Sequence, residues 1–531
     1  MAAIPSQAGM KADPLTRWLI LAVLLGLAIL LWLPFRFNVG FSGDEWYFYY
    51  HSSYTALWGQ PSRPLIALPN VIAYGLSPGS FLGFNVMLTL VVFLRGALTY
   101  TIMRQIKLGR TFAFLTAALA MAIPADMGTY YMGAVAVYSS SVFYLLAVVV
   151  FLAYWKTRRL IFLILMINLQ MLCLGIYEAT YPLILVTPLL LLILHRRINR
   201  RLIMTAILWY LIPALNVLRY ALLVSNQPEA LGYQGGLLDL DVGRMISGTW
   251  GIFQRHFIDG WLPTRFAFDA SFIPFALIAA AIVFVAVLRL SRPPTDVPMN
   301  RQTLLVIAIT GIIILLLSVA IYIPTNARTD HLRTYYTSVI GAALTIVALL
   351  TLIASNRWVV AALVAGLCAL GTLRLLEQGA DFQRRSEAQQ TILLNALDIA
   401  PDIAAWSGVI VLDETPNQLM TQRFMSAWTI QTTFQLIYAD PTLLVVICPA
   451  EPNALNDSPR CLFEADGARV QSDDLFVWTR RYDELVLMRY TASGELRLER
   501  ALPDHPTYNP FGRIDLEVSP SPMVQRMFAD N

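Results

Sequence analysis

Apolar runs long enough to cross a bilayer dominate this chain. In hydrocarbon every backbone polar group must be satisfied internally, so such runs are read as helices. They lie at about 18–35, 81–103, 112–124, 134–155, 160–176, 181–194, 202–224, 272–288, 304–323, 335–353 and 358–375, about eleven spans, the third of them short. Composition agrees. Of 531 residues, 57% are hydrophobic and 14% charged, where a soluble chain carries about a quarter charged, and the mean hydropathy is +0.60. The first run follows Arg17 and lacks a small-residue cleavage site, so it reads as an uncleaved span and not a signal peptide.

The basic residues set an expected orientation. Arg104, Lys107 and Arg110 follow the second span, Lys156, Arg158 and Arg159 the fourth, Arg196, Arg197, Arg200 and Arg201 the sixth, Arg289, Arg292 and Arg301 the eighth, and Arg357 the tenth. Every second connection is therefore basic and is assigned to the cytoplasm. Residues 1–16 form a cytoplasmic tail, 17–376 the membrane domain, and the odd span count puts the C-terminus outside. Two long outer loops result, 38–80 and 225–271. The outer connections hold Arg63, Arg244, Arg255, Arg265, Arg328 and Arg333 but no lysine. The net charge of +4 is small and dispersed, which excludes the basic footprint of a nucleic-acid binder.

From about Glu377 the apolar runs stop. Residues 378–397 read as an amphipathic helix, and 408–412, 442–448, 476–478, 485–490 and 496–498 as strands. Residues 377–531 are thus expected to be a small extracytoplasmic α/β domain. An exported location permits a disulfide between Cys448 and Cys461, whereas Cys173 and Cys368 lie in apolar runs as packing residues.

Polar motifs cluster in the outer connections. Ser42-Gly43-Asp44-Glu45 fits a capping box in which Glu45 reaches back to Ser42. Trp46, Tyr50, Tyr54 and Trp58 follow at helical spacing, a stripe suited to an interfacial membrane helix. That plain reading accounts for Glu45 and the aromatics, but the box does not require Asp44. Arg63-Pro64 ends the same loop and caps a helix, binds lipid headgroups or binds phosphate. The apolar segment 65–76 is too short to cross and reads as interfacial. Arg328, His331, Arg333, Tyr335 and Tyr336 form the densest polar cluster between spans, either a phosphate site or a solvated turn with interfacial tyrosines. Glu178 sits in a tight turn between two spans, and Arg95 lies within the second span, where it snorkels or pairs inside the bundle. Arg255, His256 and Asp259 line a cavity or are ordinary loop residues. No Walker A loop, His-Glu-x-x-His, Cys-x-x-Cys or Gly-x-Ser-x-Gly pattern occurs.

Gly43-Asp44-Glu45, Arg63-Pro64, the Tyr177-Glu178 turn and the Arg328 to Tyr336 cluster together resemble the GT-C glycosyltransferases, specifically the bacterial protein O-mannosyltransferase and aminoarabinose transferase relatives. The resemblance covers the membrane domain to about Leu375. It implies a multi-span membrane glycosyltransferase of the plasma membrane that takes sugar from a polyprenyl-phosphate donor to an extracytoplasmic glycan, lipid or protein acceptor. Carried onto this chain, Asp44 is the base acting on the acceptor, with Glu45 beside it raising its basicity. Arg63, Arg328, Arg333 and His331 hold the donor phosphate, and Glu178, Arg255, Tyr335 and Tyr336 orient substrate. The family varies in metal dependence, which leaves open a Mg2+ or Mn2+ ion on Asp44 and Glu45. Two other classes compete: a flippase or transporter of lipid-linked glycans, which would show charged or broken helices at mid-membrane, and a non-catalytic envelope assembly protein.

Overall fold

The computed structural model describes residues 14–41, 45–54, 60–126, 128–191, 198–226, 238–262, 268–290, 299–325, 334–354, 356–415, 427–449, 460–471, 477–502 and 507–515. The chain divides into two compact units. One comprises Met1–Phe37, Leu57–Asn70 and Phe84–Ala380, and the other Asn38–Ala56, Val71–Gly83 and Asp381–Asn531.

The first unit is helical, a multi-pass membrane architecture. Its helices include α1 (Pro14–Trp32), and the next three in chain order are α2 (Glu45–Tyr54) and α3 (Leu68–Leu76), treated below, and α4 (Leu82–Gln105). There follow α5 (Arg110–Ala122), α6 (Val135–Thr157), α7 (Leu160–Ile176), α8 (Tyr181–Val186), α9 (Arg200–Asn226), α10 (Val242–Phe257), α11 (Ile273–Leu290), α12 (Arg301–Val319), α13 (Ser338–Ile353) and α14 (Arg357–Ile399). Each of the eleven expected spans coincides with an apolar helix, and among the described residues seven of these are long enough to cross by length and composition. The shorter ones are Arg110–Ala122, Leu160–Ile176, Tyr181–Leu191 and Ser338–Ile353. The third of these is interrupted at Thr187-Pro188, where proline cannot donate to the preceding turn.

Between membrane helices the driving force is close packing more than hydrophobicity, and small residues permit it. Gly311 of α12 and Gly341 of α13 meet at such a crossing. A Cβ on Gly341 would lie 2.5 Å from the Gly311 carbonyl oxygen, and one on Gly311 2.6 Å from the Gly341 oxygen. Thr345 Oγ1 donates across the same crossing to the Ala308 carbonyl at 3.2 Å.

The second unit carries the α/β fold. After the short strand β1 (Asp402–Ile403), helix α15 (Ala427–Ile437) packs on β3 (Leu444–Pro449), which lies parallel to β2 (Gly408–Asp413). β7 (Leu485–Tyr490) is parallel on the other side of β2, and β8 (Leu496–Leu498) closes the edge antiparallel. The buried run Val409, Ile410 and Val411 explains the central position of β2, since a strand covered on both faces reads as continuously apolar. A second antiparallel sheet, β4 (Arg460–Phe463), β5 (Gly467–Gln471) and β6 (Val477–Arg481), was not legible beyond the start of β6. Ile410, Val446, Leu487, Val470 and Trp478 share one core. Cys448 of β3 and Cys461 of β4 are joined by a disulfide with Cα atoms 6.0 Å apart.

Two expectations change. The amphipathic helix 378–397 is not separate: it continues the last span as one 43-residue helix, α14. The first two aromatics of the stripe are covered and not exposed, while the Tyr54 side chain and Trp58 lie outside the described residues. Trp46 is fully buried and Tyr50 nearly so, because α2 packs against α15 inside the second unit. Segment 65–76, read as too short to cross, holds the short helix α3, preceded by buried Ile66 and Ala67 and containing buried Asn70 and Ala73, with Ile72, Gly75 and Leu76 exposed.

Candidate functional site

Two polar centres stand out in the first unit. The loop before α3 turns back on itself at Gln60 and Arg63, whose backbones bridge. Leu65 N–H then donates to the Gly175 carbonyl at 2.8 Å, which pins Arg63 to the end of α7. Gly175 has no room for a side chain, since a Cβ would lie 2.8 Å from Leu65 Cδ1. At Tyr177 the backbone is extended, and Pro182 restarts the chain as α8, so Glu178 is held in the turn between them.

Arg63 and Glu178 therefore meet. Nε donates to Oε2 at 2.8 Å and Nη2 to Oε1, a two-pronged ion pair. The guanidinium lies over the Tyr177 ring, 4.0 Å from its centroid. The Arg63 side chain is 9% exposed and that of Glu178 33%, so the cation is covered while its partner looks into space. That space is a cavity of about 940 Å³, near the upper end of the roughly 300–1,000 Å³ usual for small-molecule sites. Leu174, Leu185, Val217, Ala221, Val224 and Ile321 supply its apolar wall. Arg63, Glu178, Tyr220, Tyr322 and Asn216 supply its polar part. Arg219 braces the loop by donating to the Pro61 and Ser62 carbonyls at 2.9 and 3.0 Å. Tyr322, 8% exposed, sits beside this pair.

The second centre is closed. Arg95 and Asp126 are fully buried, with Nη1 to Oδ2 at 2.6 Å. Asp126 Oδ1 accepts from the Tyr138 hydroxyl and from Gly128 N–H at 3.1 Å. Burial pushes the Asp126 carboxyl up, while the Arg95 cation pulls it down. Tyr336 covers this pair: its ring lies 5.1 Å from the Arg95 guanidinium, and its hydroxyl donates to the Val91 carbonyl at 2.6 Å. Tyr335 packs against His256, with ring centres 4.9 Å apart and planes tilted by 46°. His256 Nδ1 donates to the Ile252 carbonyl and Nε2 meets Ser338 Oγ, both at 2.8 Å. Arg255 is 5% exposed, with Nε donating to the Ala125 carbonyl at 3.4 Å. Tyr335, Tyr336 and Arg255 thus occupy packed positions, and none of them lines the 940 Å³ cavity.

Glu45 begins α2 in the second unit and is 1% exposed. Asp44, Arg328, His331 and Arg333, with the Ser42 cap, lie outside the described residues. Among the described residues, no group of three His, Cys, Asp or Glu side chains could hold a metal ion. Sequence reasoning passed over Asp126, Arg219 and Tyr322. Arg219 had a usable signal, since an arginine inside an apolar run is a functional candidate by default. Asp126 had a weaker one, as an acid in the short turn between the third and fourth apolar runs.

No family model matches this chain, and no curated protein does. Among solved structures, it is similar to the crystal structure of ArnT from Cupriavidus metallidurans bound to undecaprenyl phosphate. The identity is 13% and the TM-score 0.38, over 82% of this chain and 86% of that one.

Proposed function

We propose that this chain is a membrane glycosyltransferase that moves a sugar from a polyprenyl-phosphate donor to an acceptor on the outer side of the membrane. The observation that carries the reading is the cavity: an apolar wall for an isoprenoid chain, with a covered arginine fork and tyrosine hydroxyls at its polar part. A guanidinium fork matches phosphate as well as carboxylate. In the proposed reaction Glu178 yields Arg63 to the donor phosphate. The acceptor hydroxyl oxygen attacks the anomeric carbon and its proton passes to the Asp44 carboxylate. The bond from that carbon to the phosphate oxygen breaks, and its electron pair stays on the phosphate. Negative charge grows on the leaving phosphate, where a preorganised cation and phenol donors stabilise the transition state more than the ground state. Asp44 and its partner Glu45, and Arg328, His331 and Arg333 as further phosphate ligands, enter from the sequence resemblance. The attack inverts the anomeric centre.

Reconstitution in liposomes with a polyprenyl-phosphate sugar tests this. Wild type is expected to release polyprenyl phosphate in an acceptor-dependent way, and Asp44→Asn to insert normally but release none. Full release by Asp44→Asn would remove Asp44 from the chemistry. Movement of the intact lipid-linked sugar between leaflets with no release would replace the transferase reading by a flippase.

A further inference from the structure

The second unit joins two parts of the chain that the sequence keeps far apart. Trp46 of α2 donates from Nε1 to Gln389 Oε1 of α14 at 2.7 Å, across 343 positions, and both side chains are fully buried. Around Trp46, Phe41 makes edge contacts with Trp46 and Phe81 at 5.1 and 4.6 Å between ring centres. Tyr49 packs on Tyr74 at 5.2 Å. Gly40 lies so close to α14 that a Cβ would collide with Ser386 Oγ and sit 2.8 Å from Gln390 Nε2. α15 packs on both α2 and β3. Tyr438, just past α15, donates to the Ala396 and Ala400 carbonyls at 3.2 and 2.9 Å, which fixes α15 to the end of α14.

We propose that the C-terminal domain is the seat of the acid-bearing helix α2, and that Gln389 is a positioning residue for it, acting through Trp46. The domain's own core includes the first-loop aromatics. Glu45, one residue before Trp46, is buried by the same packing. The orientation of the acidic end of α2 is therefore set by residues more than 300 positions later. The Gln389 side-chain oxygen accepts from the buried Trp46 indole N–H, and an unmatched buried donor is costly. The functional part of this proposal rests on the transferase reading above; the structural part does not.

Full-length Gln389→Leu and Gln389→Glu test it. Leucine removes the acceptor, and glutamate retains an oxygen for Trp46. Hydrogen exchange is read at 45–54 and 427–437, and transfer kinetics are read with the polyprenyl-phosphate sugar. In Gln389→Leu, amides 45–54 are expected to lose protection while helix 82–105 keeps its own. kcat is expected to fall about tenfold with KM for the lipid donor unchanged, because the loss is one of orientation and not of donor binding. Gln389→Glu is expected to restore both. Wild-type protection of 45–54 in Gln389→Leu would overturn the seat. Lost protection with unchanged kcat would overturn the positioning role. If wild type transfers no sugar, the transferase reading falls, and the exchange data still decide whether the domain holds α2.

Discussion

Arg63 grips Glu178 with both prongs of its guanidinium, and both residues line the polar part of an apolar-walled cavity. In the proposed reaction the carboxylate competes with the donor phosphate for this cation.

Arg63→Lys keeps the charge and loses the planar fork. Binding of a polyprenyl monophosphate in detergent is expected to weaken about tenfold, as a point charge replaces a bidentate donor. Glu178→Gln removes the competing charge and is expected to tighten binding. Titration calorimetry reads both. Unchanged affinity in the two variants would place the phosphate elsewhere.

Asp126→Asn would leave the Arg95 cation buried with no counter-charge. Such a break costs about 3–5 kcal/mol, and the thermal midpoint of the purified protein is expected to drop sharply. Replacing both partners, Arg95→Met with Asp126→Leu, is expected to recover part of the loss, because an apolar pair carries no desolvation penalty. Equal midpoints for wild type and Asp126→Asn would show that the ion pair contributes nothing.

His256 supplies a pH dependence. Burial first, and the neighbouring Arg255 cation after the opposing Ile252 hydrogen bond, bring its pKa down to about 4 from the ordinary 6.5. The folded ring stays neutral where the unfolded ring takes a proton. Stability is therefore flat above pH about 6.5 and falls as pH drops to about 4, by an amount on the order of 3 kcal/mol. Below that both states are protonated and this contribution stops changing. His256→Gln is expected to flatten the slope in thermal melts between pH 4 and 7. An unaltered slope in that variant would assign the acid sensitivity to other groups.

Gly341→Val would drive a branched side chain into the Gly311 carbonyl and the Leu315 backbone, 2.5 and 2.6 Å from where its Cβ must sit. Backbone cannot swing aside as a side chain does, so α12 and α13 must separate. Overpacking of this kind costs about 1–3 kcal/mol. A lowered midpoint, with lost protection in 301–319 and 338–353, is the expected readout.

Cys448→Ser with Cys461→Ser opens the loop between β3 and β4. The two positions are 13 apart, and closing a loop of that size contributes about 3 kcal/mol. Proteolysis within the C-terminal domain is expected to accelerate in the double serine variant and in wild type under reductant. Equal rates would show that the sheets hold together without the bond.

Local chemistry made much of this architecture legible. The apolar runs marked the helices because hydropathy is a property of the residues themselves, and alternating and continuous apolar patterns marked β2 and β7 for the same reason. Arg63 and Glu178 were each visible as polar residues beside spans, but their pairing across 115 positions was not. Asp126 gave little sign of itself because its importance comes from a cation on another helix. The aromatics of α2 were assigned to a membrane surface because periodicity says which residues share a face, not what covers it.

The sequence by itself determined that this is a multi-span helical membrane chain followed by an α/β domain, because helix, strand and span follow from short-range pattern. Only the tertiary structure decided that Arg63 is held by Glu178 beside an apolar cavity, that Arg95 is neutralised by Asp126, and that the helix after the first span belongs to the core of the C-terminal unit. Those outcomes depend on shape and charge matching between distant segments, whose free energy exists only once both partners are in place.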